Sequence, residues 1–162
     1  EDIRNRVAKA LVDKIVEKHR QNRPFKIYIV IPHVPEFQFN PLFCENNVSK
    51  FASAKLVMHW QYWSILRGEN SIFKVLKNKY NIQNPEKYIF FGCMRKAGRH
   101  PVTGKLFGQT IYVHSKLIII DDENVIIGSA NINDRSLCGD RDSEFCLHLP
   151  NFQYGQQTSK IP

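Results

Sequence analysis

Residues 114–131 read His-Ser-Lys-Leu-Ile-Ile-Ile-Asp-Asp-Glu-Asn-Val-Ile-Ile-Gly-Ser-Ala-Asn. They combine an imidazole, an ammonium, a hydroxyl and an amide, a set suited to attacking a phosphodiester and holding its oxygens. His114 can attack phosphorus or give a proton to a leaving oxygen, because much of its population is neutral near pH 7. Lys116 neutralises phosphoryl oxygens and favours the uncharged, nucleophilic form of His114. Ser129 and Asn131 supply donors for oxygens that gain charge in the transition state. Gly128, without a side chain, lets a substrate approach the backbone. Asp121 lies seven residues from His114, roughly 23 Å along an extended strand and on the opposite parity. It is therefore read as a turn-forming or structural carboxylate.

A β-hairpin is the element that would bring these groups together. Leu117 to Ile120 and Val125 to Ile127 are apolar runs, separated by Asp121-Asp122-Glu123-Asn124, the composition of a tight turn. With Asp122 and Glu123 as the loop, Ile120 pairs with Val125 and Ile118 with Ile127. Lys116 then faces Ser129 and His114 faces Asn131. Residues two apart share a strand face, so this register gathers His114, Lys116, Ser129 and Asn131 into one patch.

The full pattern His-x-Lys-x4-Asp-x6-Gly-Ser-x-Asn resembles, without mismatch, the HKD motif of the phospholipase D superfamily. Asn131-Ile132-Asn133-Asp134-Arg135-Ser136 and Arg141-Asp142-Ser143-Glu144 are similar to the C-terminal catalytic half of the eukaryotic enzymes. Tyr28-Ile29-Val30-Ile31-Pro32 and Arg67-Gly68-Glu69-Asn70-Ser71-Ile72 resemble segments that precede the second motif there. The resemblance implies an α/β fold, a mixed β-sheet flanked by helices, as a phospholipase D-like catalytic half-domain. It also implies a metal-independent and cofactor-free phosphodiesterase working through a phosphohistidine, with phosphatidylcholine as substrate. One histidine attacks phosphorus while a second protonates the departing headgroup alcohol, then activates water or another alcohol. His114 takes the acid/base role if its motif is the second of a pair. A carboxylate normally orients such a histidine. Glu144 is the candidate and Asp142 the alternative, since residues two apart share a face.

Eukaryotic members carry two such motifs in one chain, and this chain has one. His19, His33, His59, His100 and His148 are not followed two residues later by lysine. The second motif is expected from a missing N-terminal half or from a homodimer mate. A homodimeric single-motif nuclease and an inactive lipid-binding regulatory half are the alternatives.

Bulk properties fit a single catalytic domain over residues 1–150, with 151–162 as a C-terminal tail. A chain of 162 residues can bury about 68–70% of its unfolded surface. Its 43% hydrophobic and 23% charged content is that of a globular protein. No apolar run nears the ~18 residues of a membrane span, so any membrane contact is expected to be peripheral and the setting cytoplasmic. Cysteines 44, 93, 138 and 146 form no C-x-x-C pair and read as reduced, mostly packed thiols; no metal site is expected from them. Residues 1–81 hold 14 Lys and Arg against 7 Asp and Glu, and residues 82–162 hold 9 against 8. A basic excess can draw a chain to anionic lipid or nucleic acid, but no run of consecutive basic residues or RNA-binding signature points to nucleic acid.

The remaining pattern supplies the scaffold. Ile3, Val7, Leu11 and Ile15 recur at helical spacing, predicting an amphipathic helix over 2–20. Lys26–Ile31 reads as a buried strand ended by Pro32 and Pro35, followed by a loop to about Asn47, in which His33 and Phe37 rim a substrate entrance or simply pack. A helix over 48–66 offers Leu56, Trp60 and Trp63 to the core. Ser71 N-caps a helix over 72–80. Tyr88–Cys93 is a second buried strand, and Arg95–Gly108 a basic loop whose Arg95, Lys96, Arg99 and His100 touch headgroup phosphates or stay solvated. Phe145–Leu149 is a final strand.

Overall fold

A computed structural model describes residues 3–33 and 48–151, apart from the side chains of 48–54, 107 and 109. Phe37, Cys44 and the tail beyond Asn151 lie outside the described residues. The chain divides into two compact units, Ala8–Val113 and a second made of Glu1–Val7 with His114–Pro162. Helices and small sheets mix in one chain, the α/β class expected of a phospholipase D-like half-domain.

The first unit is organised by α1 (Val7–Arg20). This helix starts later than its apolar period suggests, because the Asn5 side-chain oxygen accepts the Val7 N–H at 3.3 Å and so marks the first turn. It ends where Asn22 turns left-handed (φ 48°) and the Arg23 N–H bonds back to the Lys18 carbonyl at 3.0 Å, closing the last turn. Val12, Ile15 and Val16 form its buried stripe and meet Ile72, Leu76, Ile82 and Ile89 in the core. Ile72 opens α3 (Ile72–Lys74), which runs on as a π-wound turn (Val75–Lys79). Ser71 has the backbone of an N-cap, yet its side chain makes no capping bond. It is almost fully buried and its hydroxyl has no hydrogen-bond partner among the described residues.

β1 (Ile27–Val30) and β2 (Ile89–Gly92) pair in parallel, Ile27 opposite Ile89 and Ile29 opposite Phe91. Those residues face the core, while Tyr28, Val30 and Phe90 on the other face are exposed. The two strands are thus half-covered rather than buried on both faces, because α1 and α3 supply one layer.

α2 (Val48–Tyr62) continues as a π-wound turn (Trp63–Arg67). Its inward residues are Met58, Gln61, Tyr62 and Ile65. Leu56, Trp60 and Trp63, expected in the core, are exposed. Gln61 is held inward by donating to the Pro32 carbonyl at 3.2 Å, and His33 packs edge-on against Tyr62, which fixes the rotation of the helix. The exposed rings are occupied locally, with His59 stacked on Trp63 and edge-on to Trp60.

Residues read as a basic loop form a hairpin of β3 (Met94–Arg99) and β4 (Leu106–Ile111). The turn uses Pro101 and a left-handed Gly104 (φ 66°). His100 Nδ1 faces the Val102 and Thr103 N–H groups at 3.3 and 3.2 Å, and Arg99 donates to the Gly104 carbonyl. Two of the four basic residues therefore serve the turn itself.

The second unit is an antiparallel sheet in the order β5 (Lys116–Ile120), β6 (Asn124–Gly128), β7 (Cys146–Leu149), with the short α4 (Asp134–Leu137) between β6 and β7. Neighbouring residues point to opposite faces, yet Ile118 and Ile119 are 47% and 57% exposed. Both faces of β5 are apolar and exposed, while Val125 and Ile126 of β6 are half-buried; such a strand is suited to a layer on each side. Cys93 and Cys146 are exposed and Cys138 half-buried, all unpaired; exposure of two departs from the packed thiols expected.

Candidate active site

The hairpin expected to carry the chemistry is displaced by one residue from the expected register. Lys116 lies opposite Gly128, Ile118 opposite Ile126 and Ile120 opposite Asn124. Asp121 joins Asp122 and Glu123 in the connection, both aspartates having left-handed backbones (φ 53° and 58°). The Glu123 N–H closes the turn on the Ile120 carbonyl at 3.1 Å. Two consecutive left-handed residues match the twist of the flanking strands, and aspartate tolerates that conformation better than most residues. The register therefore sets Lys116 against Gly128, not Ser129. Asp121 sits in the turn, at the far end of β5 from His114.

His114 stands just before β5, and the Lys116 ammonium folds back to donate to its carbonyl oxygen at 2.5 Å. His114 and Lys116 thus lie at the same end of the strand. Gly128 faces the backbone of β7: a Cβ there would collide with the Phe145 carbonyl oxygen and come within 2.7 Å of Cys146 Cβ. Glycine is required here by the neighbouring strand, and β7 fills the space that a substrate was expected to use.

Ser129 continues beside β7. Its N–H donates to the Phe145 carbonyl at 2.9 Å, and its Oγ accepts the Phe145 N–H at 3.1 Å. The same hydroxyl donates to the Glu144 carboxylate. Ser129, expected to hold a phosphate, and Glu144, expected to orient the histidine, are therefore bonded to each other. The Glu144 carboxyl is held below the ordinary carboxylate range, first by the Ser129 hydroxyl and then by Ser136, with the Lys116 charge adding a smaller pull. The Ser136 hydroxyl is buried beside the carboxylate, outside strict hydrogen-bond geometry with any acceptor among the described residues. Proximity suffices for its influence, since a hydroxyl dipole near a carboxylate favours the ionised form.

The alternative carboxylate is engaged elsewhere. Both Asp142 oxygens accept from the Arg135 guanidinium, at 3.0 and 3.2 Å, and the Asp142 N–H returns to the Arg135 carbonyl. Asn131 is exposed at the exit of β6, its carbonyl accepting the Asn133 N–H at 2.9 Å. Asn133 caps α4 by accepting the Ser136 N–H at 3.0 Å. Asn133 and Ser136 are thus joined at the start of α4, and Glu144 and Ser129 beside β7. Sequence reading missed Asp134 and Asn133 as parts of this arrangement. Asn-x-x-Ser at a helix start was the available signal for Asn133, but nothing local marks Asp134, whose partners lie at the other end of the chain.

Residues 1–160 match the family described as Phospholipase D. The chain belongs to the phospholipase D family. It is 44% identical over 154 residues to a phospholipase D of Phytophthora infestans, covering 94% of this chain and 8% of that protein. It is 42% identical to phospholipase D zeta 1 of Arabidopsis thaliana, covering 88% of this chain and 12% of the relative. It is 41% identical to human phospholipase D1, covering 98% of this chain and 13% of the relative. The chain thus spans a small part of each of these proteins.

Among the described residues no group of three or more His, Cys, Asp or Glu is placed to hold a metal ion. None of their helices is long and apolar enough to cross a membrane.

Proposed function

We propose that this chain supplies one of the two HKD motifs of a phosphodiesterase that acts on phosphatidylcholine at a membrane surface. The observation that carries the reading is the end of β5. His114 and Lys116 emerge there together, in a chain whose Ser129–Glu144 pair keeps a hydroxyl and a carboxylate ordered in the same unit.

In this reading the partner motif's histidine attacks phosphorus, forming a phosphorus–nitrogen bond as the bond to the headgroup oxygen breaks. His114 gives its proton to the departing choline oxygen. Neutral His114 then takes a proton from water, or from another alcohol, whose oxygen displaces the histidine nitrogen and releases phosphatidic acid or a new phosphatidyl ester. Lys116 balances charge on the non-bridging oxygens and Asn131 donates to them; the Ser129 hydroxyl joins Asn131 by turning from Glu144, whose freed carboxylate orients the imidazole. Gly128 permits the close strand packing that holds Ser129 in place. Asp121 acts through the turn.

The exposed apolar side chains of β5 and β7, with Ile127 of β6, support a partner: half of a larger sheet assembly leaves such groups uncovered. The second motif would come from another segment of a longer enzyme or from a second copy. Membrane contact is then peripheral and the setting cytoplasmic.

The test offers phosphatidylcholine vesicles and, in parallel, duplex DNA to the chain, both alone and mixed with a polypeptide carrying a second motif. Choline release in the mixture without DNA cleavage is the expected result. Cleavage of DNA by a stable dimer of the chain alone, without choline release, would replace it with the nuclease reading.

A further inference from the structure

The N-terminal segment does not simply lead into α1. Residues 4 and 5 converge on Asp134, almost the whole chain away in sequence and within the same compact unit. The Arg4 N–H donates to one Asp134 oxygen at 2.8 Å. The Asn5 N–H and side-chain amide donate to the other at 3.0 and 2.6 Å. Arg4 also reaches Asp140, its guanidinium 2.9 Å from the carboxylate. Asn5 meanwhile accepts the Val7 N–H through its side-chain oxygen, so both ends of its amide are used.

Asp134 opens α4, and everything after it on the way to β7 is braced in turn. Asn133 caps the helix, and the Cys138 N–H closes it on the Asp134 carbonyl at 3.1 Å. Arg135 grips Asp142 with two bonds, two residues before Glu144. Each exposed link alone contributes little, because water screens it. In series they leave the segment from Asn131 to Glu144 few alternatives, because its start, its helix and its end are each tied to a fixed partner.

We propose that Asp134 is a positioning residue. By fastening residues 4 and 5 to the start of α4, it sets the placement of Glu144 against Ser129 and so the geometry of the motif. Three N–H donors on one carboxylate are the arrangement that most favours its ionised form. The Asp134 carboxyl accordingly titrates at about 2, held down first by the Arg4 backbone N–H and then by the two Asn5 donors. The Asp134 carboxylate therefore stays charged throughout the physiological pH range. An N-terminal strap of this kind makes the site depend on residues far from the motif, which a change near Arg4 or Asn5 would loosen without touching any group that meets substrate.

The functional meaning of the strap rests on the phosphodiesterase reading above. Amide exchange and carboxyl titration need no turnover, so their outcome is independent of that reading. The experiment compares the wild-type chain with Asp134→Ala, Asp134→Asn and Asn5→Ala by hydrogen–deuterium exchange and by 13C NMR of Glu144. Asp134→Ala is expected to speed exchange at the Ser129 and Phe145 amides by ~10-fold or more and to move the Glu144 midpoint upward. The β5–β6 amides from Leu117 to Ile127 and the Ile27 and Ile31 amides should stay as in the wild type. Asp134→Asn, which keeps one acceptor oxygen, and Asn5→Ala, which removes one donor, should give smaller shifts of the same sign. Unchanged exchange and an unchanged Glu144 midpoint in Asp134→Ala would overturn the proposal. So would an equal loss of protection across β5, β6 and β7 in all three variants, which marks a general structural role.

Discussion

Gly128→Ala tests the packing of the motif most sharply. The added methyl would lie 2.7 Å from Cys146 Cβ and 2.8 Å from its Cα, besides meeting the Phe145 carbonyl oxygen. An ordinary carbon–carbon contact needs about 3.5 Å, so β7 must retreat by roughly 0.8 Å. The atoms it meets are backbone or a Cβ fixed to backbone, so no flexible side chain can give way. The Ser129 N–H to Phe145 carbonyl bond, 2.9 Å in the native fold, would then stretch beyond the range of a hydrogen bond. The reciprocal Phe145 N–H to Ser129 Oγ bond, at 3.1 Å, would weaken with it. Overpacking costs about 1–3 kcal/mol and each lost bond about 0.5–1.5 kcal/mol, giving roughly 2–6 kcal/mol. Gly104→Ala is the control: its backbone is left-handed (φ 66°), but nothing lies within 4 Å of the added methyl. That change should cost only the left-handed backbone penalty, about 1–2 kcal/mol.

Native-state hydrogen exchange of the β6 and β7 amides measures the effect in the right place. Trp60 and Trp63 both lie in the Ala8–Val113 unit, so tryptophan fluorescence serves as an internal reference and should be unmoved by Gly128→Ala. If β6 and β7 amides in Gly128→Ala keep their wild-type protection within about 0.5 kcal/mol, the close approach of β7 is not what demands glycine, and the reasoning fails.

Three further predictions follow from the same contacts. Glu144 has a depressed carboxyl pKa, mainly through Ser129. A group of this kind adds stability that is fully present above its ordinary value and is lost as pH falls through the folded value; Ser129→Ala should therefore raise the Glu144 midpoint seen by 13C NMR, and an unmoved midpoint would remove Ser129 as the cause. Ser71→Ala should leave unfolding within about 0.5 kcal/mol of wild type or stabilise it, because the buried hydroxyl has no partner among the described residues; a loss of about 1 kcal/mol, the usual value of a side-chain cap, would show by urea titration that the hydroxyl does cap α3. Ile15→Ala empties a fully buried position and should cost about 2–5 kcal/mol, read by tryptophan fluorescence during urea unfolding; a cost under 1 kcal/mol would mean that α1 is not anchored through this stripe.

The parts of the fold legible in the sequence are those fixed by local pattern. The stripe of α1, the two strands beginning near Ile27 and Ile89, and the hairpin around Asp122 all follow from apolar period and turn composition. The hairpin register did not, because Asp121 and Asp122 can both turn left-handed, and composition does not reveal how many residues do so. One residue of slip reverses every facing pair, so the expected Lys116–Ser129 pair gives way to Lys116–Gly128. On α2 two apolar faces compete. The one chosen by Gln61 and Tyr62 against Pro32 and His33 leaves Leu56, Trp60 and Trp63 outside. β3 carries three basic residues and β4 has Gly108 and Gln109 inside a short apolar run, so neither reads as a strand, although Pro101 and Gly104 announce their turn. Glu144 was expected beside the histidine and Ser129 beside a phosphate; the bond between the two spans fifteen residues, and no local pattern announces it. Long-range pairs such as Asn5 with Asp134 leave no trace in any window of the sequence.

The account's central claim is that His114 performs the chemistry of this motif. The most direct test measures phosphatidyl-alcohol formed from phosphatidylcholine vesicles and a primary alcohol, using the chain combined with a polypeptide that carries a second motif. Wild type and His114→Ala are compared at equal folding, judged by β5–β7 amide protection. The prediction is product from the wild type and a rate at least ~100-fold lower from His114→Ala, the usual contribution of a positioned acid/base group. Equal rates from the two would contradict the claim.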